Sequence, residues 1–235
     1  MQPIMSLDAL MQTLSAARLK RARRTDSVRT GLPAIDALLP DGKFALGAVH
    51  EVLSESPCLL LPLLLARSAM KFGKIVWCDP LRRFYPPAAA RMGLPLDRLL
   101  IVRPAGGADL LWALHESLRC GGVGACVAPA ARLTPLQVRR LQLAAERGGG
   151  VGLLMRPIQA ISWPYAAASR WLLEPLPAAP AALAVRRWRA TLIRAHGGQE
   201  GRSVVLEVER DHHHVRAIDP LADRPAAPQA APASA

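Results

Sequence analysis

The chain has 235 residues, 51% of them hydrophobic and only 4% aromatic, a length and make-up that suit one substantial α/β domain with a core of Leu, Val, Ile and Ala. Lys and Arg outnumber Asp and Glu by 30 to 18, a net charge of +12, which points to an acidic partner such as nucleic acid or an acidic protein face, with the arginine bias of a GC-rich genome as the rival account. A zinc site is excluded, because Cys58, Cys78, Cys120 and Cys126 form no Cys-x-x-Cys pair and sit in apolar stretches as small buried hydrophobes; a membrane span is excluded too, because the Leu59–Leu65 run is short and contains Pro62.

Residues 5–24 read as an amphipathic helix, with Leu7, Leu10, Met11 and Leu14 at helical spacing and Ser6 at its start. Its end carries Arg18, Lys20, Arg21, Arg23 and Arg24, cations that also suit a helix C-terminus. The apolar residues are spaced and the basic ones follow them, the reverse of a signal peptide, so a cytoplasmic protein is expected. Thr25 to Arg29 reads as a linker, and the main domain is expected over 30–219.

Within it, Ala48 to Leu53 is a first strand, followed by a helix over Leu59 to Phe72 that Gly73 stops. Lys74 to Asp79 is a second strand, Pro86 to Met92 a helix, and Leu99 to Arg103 a third strand. Asp109 to Arg119 is a helix with Asp109 as its cap, and Val123 to Ala128 a fourth strand. Thr134 caps a further helix with Pro135 at its first position, and Gly148-Gly149-Gly150 ends it before a fifth strand, Val151 to Met155. Trp171–Glu174, Leu183–His196 and Ser203–Glu209 read as strands without intervening helices, expected to add antiparallel pairing at one edge. The Ala/Pro-rich residues 220–235 cannot bury a core and read as disordered. The alternation implies an α/β fold with a mainly parallel sheet flanked by helices.

Several local signatures resemble the RecA-like recombinase core. Thr30, Gly31, Asp36, Gly42, Gly47 and Glu51 match that family's lead-in to its first core strand. Asp79, Pro86, Ala90-Arg91-Met92-Gly93 and Asp97-Arg98-Leu99-Leu100 match a second stretch, and the similarity runs over about residues 30–210. The departures are equally specific. A phosphate-binding loop needs glycines, a Lys and a Ser or Thr for Mg²⁺. Where it belongs, the chain reads Ser54-Glu55-Ser56-Pro57-Cys58-Leu59-Leu60-Leu61, with Leu60 at the Lys position and Leu61 at the hydroxyl position. Pro57 removes an N–H and Glu55 would repel a phosphate. The water-positioning Glu falls on Leu81, and the strand that should end in a metal-linked Asp reads Ala125 to Pro129.

A RecA-like chain with a degenerate nucleotide site resembles the ImuA family, the SulA/RecA-like accessory proteins of translesion DNA synthesis. The phrase Gly47-Ala48-Val49-His50-Glu51, and the closing segments Val208–His214 and Leu221–Pro225, are similar to that family's. The resemblance implies a non-catalytic adaptor with no nucleotide, metal or other cofactor. It implies partnership with an ImuB-like Y-family polymerase homologue and an error-prone C-family DNA polymerase, with RecA as a further candidate, and induction by DNA damage. A SulA-like cell-division inhibitor and a DNA-dependent ATPase remain as rival expectations.

Candidate contact residues carry two readings each. Leu7, Leu10, Met11 and Leu14 dock a partner or pack on their own domain. Trp163 and Tyr165, in the segment where recombinases place a DNA-contacting loop, suit protein contact better than strand binding, since Arg170 is the sole cation there. Arg18, Lys20, Arg21, Arg23 and Arg24, with Arg187 and Arg189 beside Trp188, are candidates for nucleic-acid contact; the alternative for the latter pair is a solvated edge strand. His50 and Glu51 suggest an acid/base pair, but strand neighbours face opposite ways, which favours a structural role. The same alternation keeps His212, His213 and His214 from converging on a metal.

Overall fold

The computed structural model describes residues 27–56, 58–177, 185–209 and 214–218. The expected helix over 5–24 with all its candidate residues, the tail 220–235, Pro57, His212 and His213 lie outside the described residues.

Residues expected to be linker begin the described structure as a strand. β1 (Ser27–Val28) pairs antiparallel with β2 (Phe44–Ala45), burying Val28 and Phe44 side by side. Between them run a short helix α1 (Pro33–Asp36) and a 3-10 turn, Pro40–Gly42. The Thr30…Asp36 signature has a local cause: Asp36 Oδ1 accepts from the Thr30 backbone N–H at 2.8 Å and from its hydroxyl at 2.9 Å, closing the turn.

The core sheet follows the expected alternation. β3 (Ala48–Ser54) leads to α2 (Leu60–Ala69), β4 (Lys74–Cys78), α3 (Pro86–Arg91), β5 (Leu99–Val102), α4 (Gly107–Arg119), β6 (Val123–Pro129), α5 (Pro135–Gly148) and β7 (Val151–Pro157). These strands pair in parallel, and their side chains form a cluster on each face of the sheet. α2 packs on one face, with Leu61, Leu64 and Leu65 buried; α4 and α5 pack on the other through Leu114, Leu118 and Leu141. α5 has the expected Thr134 cap, completed by Gln137 as a capping box, and ends at Gly149 in the left-handed conformation. α4 differs from expectation. It starts at Gly107 with Gly106 as its cap residue, so Asp109 sits in the first turn, where a carboxylate favours the N-terminal end of the helix dipole, and does not cap it.

The last strands are β8 (Ser169–Leu176), β9 (Val185–Ala195), β10 (Ser203–Glu209) and β11 (Val215–Ile218), and the order across the sheet is β11-β10-β9-β8-β3-β7-β6-β4-β5. β9, β10 and β11 are antiparallel, as expected of an added edge. β8 departs from that expectation by pairing parallel to β3. A parallel pairing requires a crossover, and residues 158–168 supply it as a 3-10 turn, Ile158–Ser162, and irregular backbone lying over β3. No helix among the described residues is long and apolar enough to cross a membrane.

Candidate functional site

The loop after β3 occupies the place of the phosphate loop in the resemblance; Glu55 and Ser56 are exposed, while Ser54 and Cys58 on either side of them are buried. Ser54 is buried at the strand end. Burial pushes the Cys58 thiol up to about 11, which leaves it an inert hydrophobe at neutral pH. α2 then begins without a side-chain cap, and the side chains of Leu60 and Leu61 are packed in the apolar cluster beneath the sheet. The two positions that would grip a phosphate and its Mg²⁺ therefore carry buried aliphatic groups with no donor to offer.

The loop after β4 is rigid for a different reason. Asp79 is buried and accepts the backbone N–H groups of Arg83 at 2.8 Å and Phe84 at 3.2 Å, while Phe84 stacks on Trp77 at 4.2 Å between ring centroids. Arg82 takes the left-handed conformation at φ 54°, a strained state for a residue with a side chain. This fixed turn presents Leu81 and Tyr85 to solvent, 62% and 67% exposed. Leu136, at the start of α5 after β6, is 62% exposed, and Ile161, in the crossover after β7, 47%. Four large apolar side chains thus follow the carboxyl ends of the neighbouring strands β4, β6 and β7, the edge where open α/β sheets bind their ligands.

Beneath the crossover lies a buried ionic cluster. Glu51, in the middle of β3, accepts from Arg156 Nη1 at 2.6 Å and from Arg170 Nε at 2.7 Å, and all three side chains are almost wholly buried. Two guanidiniums share one carboxylate, so the cluster carries a surplus positive charge out of water. The faces of Trp163 and Tyr165 offset it: Arg156 lies 5.3 Å from the Trp163 centroid and Arg170 lies 5.1 Å from that of Tyr165. Arg170 Nη1 also donates to the carbonyls of Ala160, Ile161 and Trp163 at 3.0–3.3 Å. The Ala160 carbonyl also accepts the Trp163 backbone N–H at 3.1 Å, whereas among the described residues those of Ile161 and Trp163 rely on this one side chain.

His50 faces the other way, as the strand alternation requires. Its Nε2 lies 3.1 Å from the Ala45 carbonyl, so that nitrogen carries the proton and Nδ1, 2.7 Å from Ser169 Oγ, accepts from the hydroxyl. Trp171 Nε1 donates to the same oxygen at 3.1 Å, and the Phe44 ring packs against both His50 and Trp171. Burial lowers the His50 pKa to about 4, so it is neutral and structural.

The structure brings Trp163 and Tyr165 together over the ionic cluster but separates Arg187 from Arg189. Arg187 is buried and ion-paired at 3.3 Å with Glu207, directly across the β9–β10 ladder, and Glu207 also binds Arg216 at 2.6 Å. That pairing removes Arg187 from the exposed basic patch the sequence suggests; Arg189 is exposed, and Trp188 packs on the core from the opposite face. Sequence reasoning missed Arg156, and took Arg170 for a loop cation. The available signal was Glu51 itself, the one carboxylate inside a mostly apolar strand, which demands a buried partner.

No protein-family model matches the chain. Protein ImuA of Caulobacter vibrioides is 32% identical to it over 217 residues, covering 82% of this chain and 89% of that protein. The cell division inhibitor SulA of Edwardsiella piscicida is 28% identical over 139 residues, covering 57% of this chain and 80% of that protein. The RadB recombinase crystal structure superimposes with a TM-score of 0.61 at 16% identity, covering 81% of this chain and 99% of that one, which makes the fold RecA-like.

Proposed function

Because the chain belongs to the ImuA family, we propose that it acts in damage-induced mutagenesis as a non-catalytic adaptor, holding polymerase-like partners on a RecA-like scaffold. The observation that carries this reading is the exchange at the carboxyl edge of the sheet. Leu60 and Leu61 are buried where a nucleotide would be gripped, while Leu81, Tyr85, Leu136 and Ile161 stand exposed along the same edge. Exposed apolar groups on a rigid frame suit a protein interface, whose binding energy concentrates in a few aliphatic and aromatic anchors.

The partners in this reading are an ImuB-like Y-family polymerase homologue and an error-prone C-family DNA polymerase, with RecA as a third. Affinity capture with the full chain from cells treated with a DNA-damaging agent tests it: recovery of the first two proteins supports the adaptor, and recovery of neither ends it. A nucleotide titration of the purified chain checks the absence of catalysis, since saturable ATP binding with Mg²⁺ would restore the ATPase reading.

Similarity to SulA over part of the chain favours a second reading, inhibition of cell division. Filamentous growth on overexpression, together with direct inhibition of the assembly of a tubulin-like division protein, would select it.

A further inference from the structure

A cluster of cations that form no ion pair among the described residues lies on a different part of the molecule from the carboxyl edge. A cavity of about 540 Å³ opens between the β1–β2 ribbon and the end of α2, and its cations are Arg29, Lys43, Arg67 and Lys71. A second cavity, of about 320 Å³, adjoins it through the shared Arg67 and adds Arg91 and His214. Among the described residues neither is lined by a carboxylate. None of the five Arg and Lys residues is ion-paired among the described residues, and Arg29, Lys71 and Arg91 are exposed.

The groove is constructed around Arg67. Its stem runs beside Gly93, where an added Cβ would stand 3.1 Å from Arg67 Cδ, and one Cβ at Gly31 would stand 3.7 Å from Nη2. Both glycines have a left-handed backbone, φ +83° and +84°, so the chain turns away on each side and leaves the guanidinium a channel. Arg67 Nη1 donates to the Met92 carbonyl at 3.3 Å, which ties it to the end of α3, and its side chain lines both cavities. Helix dipoles account for Arg67 and Lys71 at the end of α2 and for Arg91 in the last turn of α3, but not for Arg29 and Lys43, which come from the facing ribbon.

We propose that this groove binds the phosphodiester backbone of nucleic acid. Two adjoining cavities with one shared arginine suit a repeated anion passing through better than a single small one. Among the described residues cations and small or aliphatic groups dominate the lining, and the one ring is the His214 imidazole, so the contact reads mainly phosphates and not sequence. The proposal is independent of the adaptor reading, which rests on the carboxyl edge.

The test uses the full chain, a fluorescent mixed-sequence oligonucleotide and a salt series. The triple variant Arg29→Gln, Lys71→Gln, Arg91→Gln removes three exposed groove charges and leaves Arg67 in place. A control, Arg139→Gln, Arg140→Gln, Arg147→Gln, removes three exposed charges from α5. Circular dichroism and a melting curve verify that each is folded. The groove variant is expected to bind at least tenfold more weakly than the control at low salt. Its slope of log affinity against log salt should be shallower than the control's by about 2 to 3, the loss of three phosphate contacts. Equal affinity and slope in the two variants, or no oligonucleotide binding by the unmodified chain at low salt, overturns the proposal. So does a groove-specific loss of binding to phosphatidylserine vesicles or polyglutamate with oligonucleotide binding unchanged, since the occupant would then be a membrane or an acidic protein. Capture of the polymerase-like partners by the groove variant should match the control, which separates failure here from failure of the adaptor reading.

Discussion

Arg170 reaches back 119 positions to place its Nε 2.7 Å from Glu51 Oε2, and with the same side chain holds three carbonyls of the crossover that covers them both. One guanidinium thereby joins β3, β8 and the segment carrying Trp163 and Tyr165. Removing either member should have distinct consequences.

Glu51→Gln leaves two buried guanidiniums around a neutral amide. Breaking a buried ion pair from one side costs about 3–5 kcal/mol, because the surviving charge stays out of water. Urea unfolding should show a loss of that size with an unchanged m-value; a change below about 1 kcal/mol would mean that solvent reaches the cluster.

Arg170→Met keeps much of the side-chain volume but abandons the carbonyls of Ala160, Ile161 and Trp163. The carbonyls of Ile161 and Trp163 must then find water, while that of Ala160 keeps the Trp163 N–H, so the crossover should loosen before the sheet does. Limited proteolysis is expected to cut first within 158–168, at least tenfold faster than in the unaltered chain, with the far-ultraviolet spectrum retained. Equal cleavage rates would show that the crossover is held by packing alone.

Leu81→Asp and Tyr85→Ser place polar groups on a turn whose shape is set by Asp79 and by the Trp77–Phe84 stack. Stability should move by no more than about 0.5 kcal/mol, as for other exposed positions. Capture of a partner docked on this edge should fall by tenfold or more, the scale of an interface anchor. Unchanged capture by the double variant would move the docking surface elsewhere.

The His50 pKa is lowered to about 4 from an ordinary 6.5, so the unfolded chain takes up this proton before the folded one does. Its contribution to stability is complete above pH 6.5 and is lost as pH falls toward 4. Roughly 3 kcal/mol should disappear across that window at 1.4 kcal/mol per unit. In His50→Gln, which cannot be protonated, the fall in unfolding free energy between pH 6.5 and pH 4 should be smaller by about that amount. An identical pH profile would assign the loss to carboxylates instead.

Local chemistry made most elements legible. The Thr134-Pro135 start and the Gly149 stop of α5 came from capping rules that act within one turn, and the apolar strands β3 to β7 came from runs that only a sheet covered on both faces can bury. The parallel placement of β8 was not legible, because an irregular crossover has no periodicity to mark it. Nor was the start of α4 at Gly107, where Gly106 took the cap position that a nearby Asp was better suited to fill.

The amino-acid sequence by itself determined the RecA-like order of strands and helices and the aliphatic character of Leu60 and Leu61 after β3, since both depend on which residues are adjacent along the chain. Only the tertiary structure decided which charges are spent and which are available. Arg156, Arg170 and Arg187 look as free in the sequence as Arg29, Lys71 and Arg91, but the first three lie opposite Glu51 and Glu207 inside the fold and the others face a groove that no carboxylate among the described residues lines. Electrostatic pairing depends on distance through space, and residues far apart in the chain acquire that distance only when the strands align.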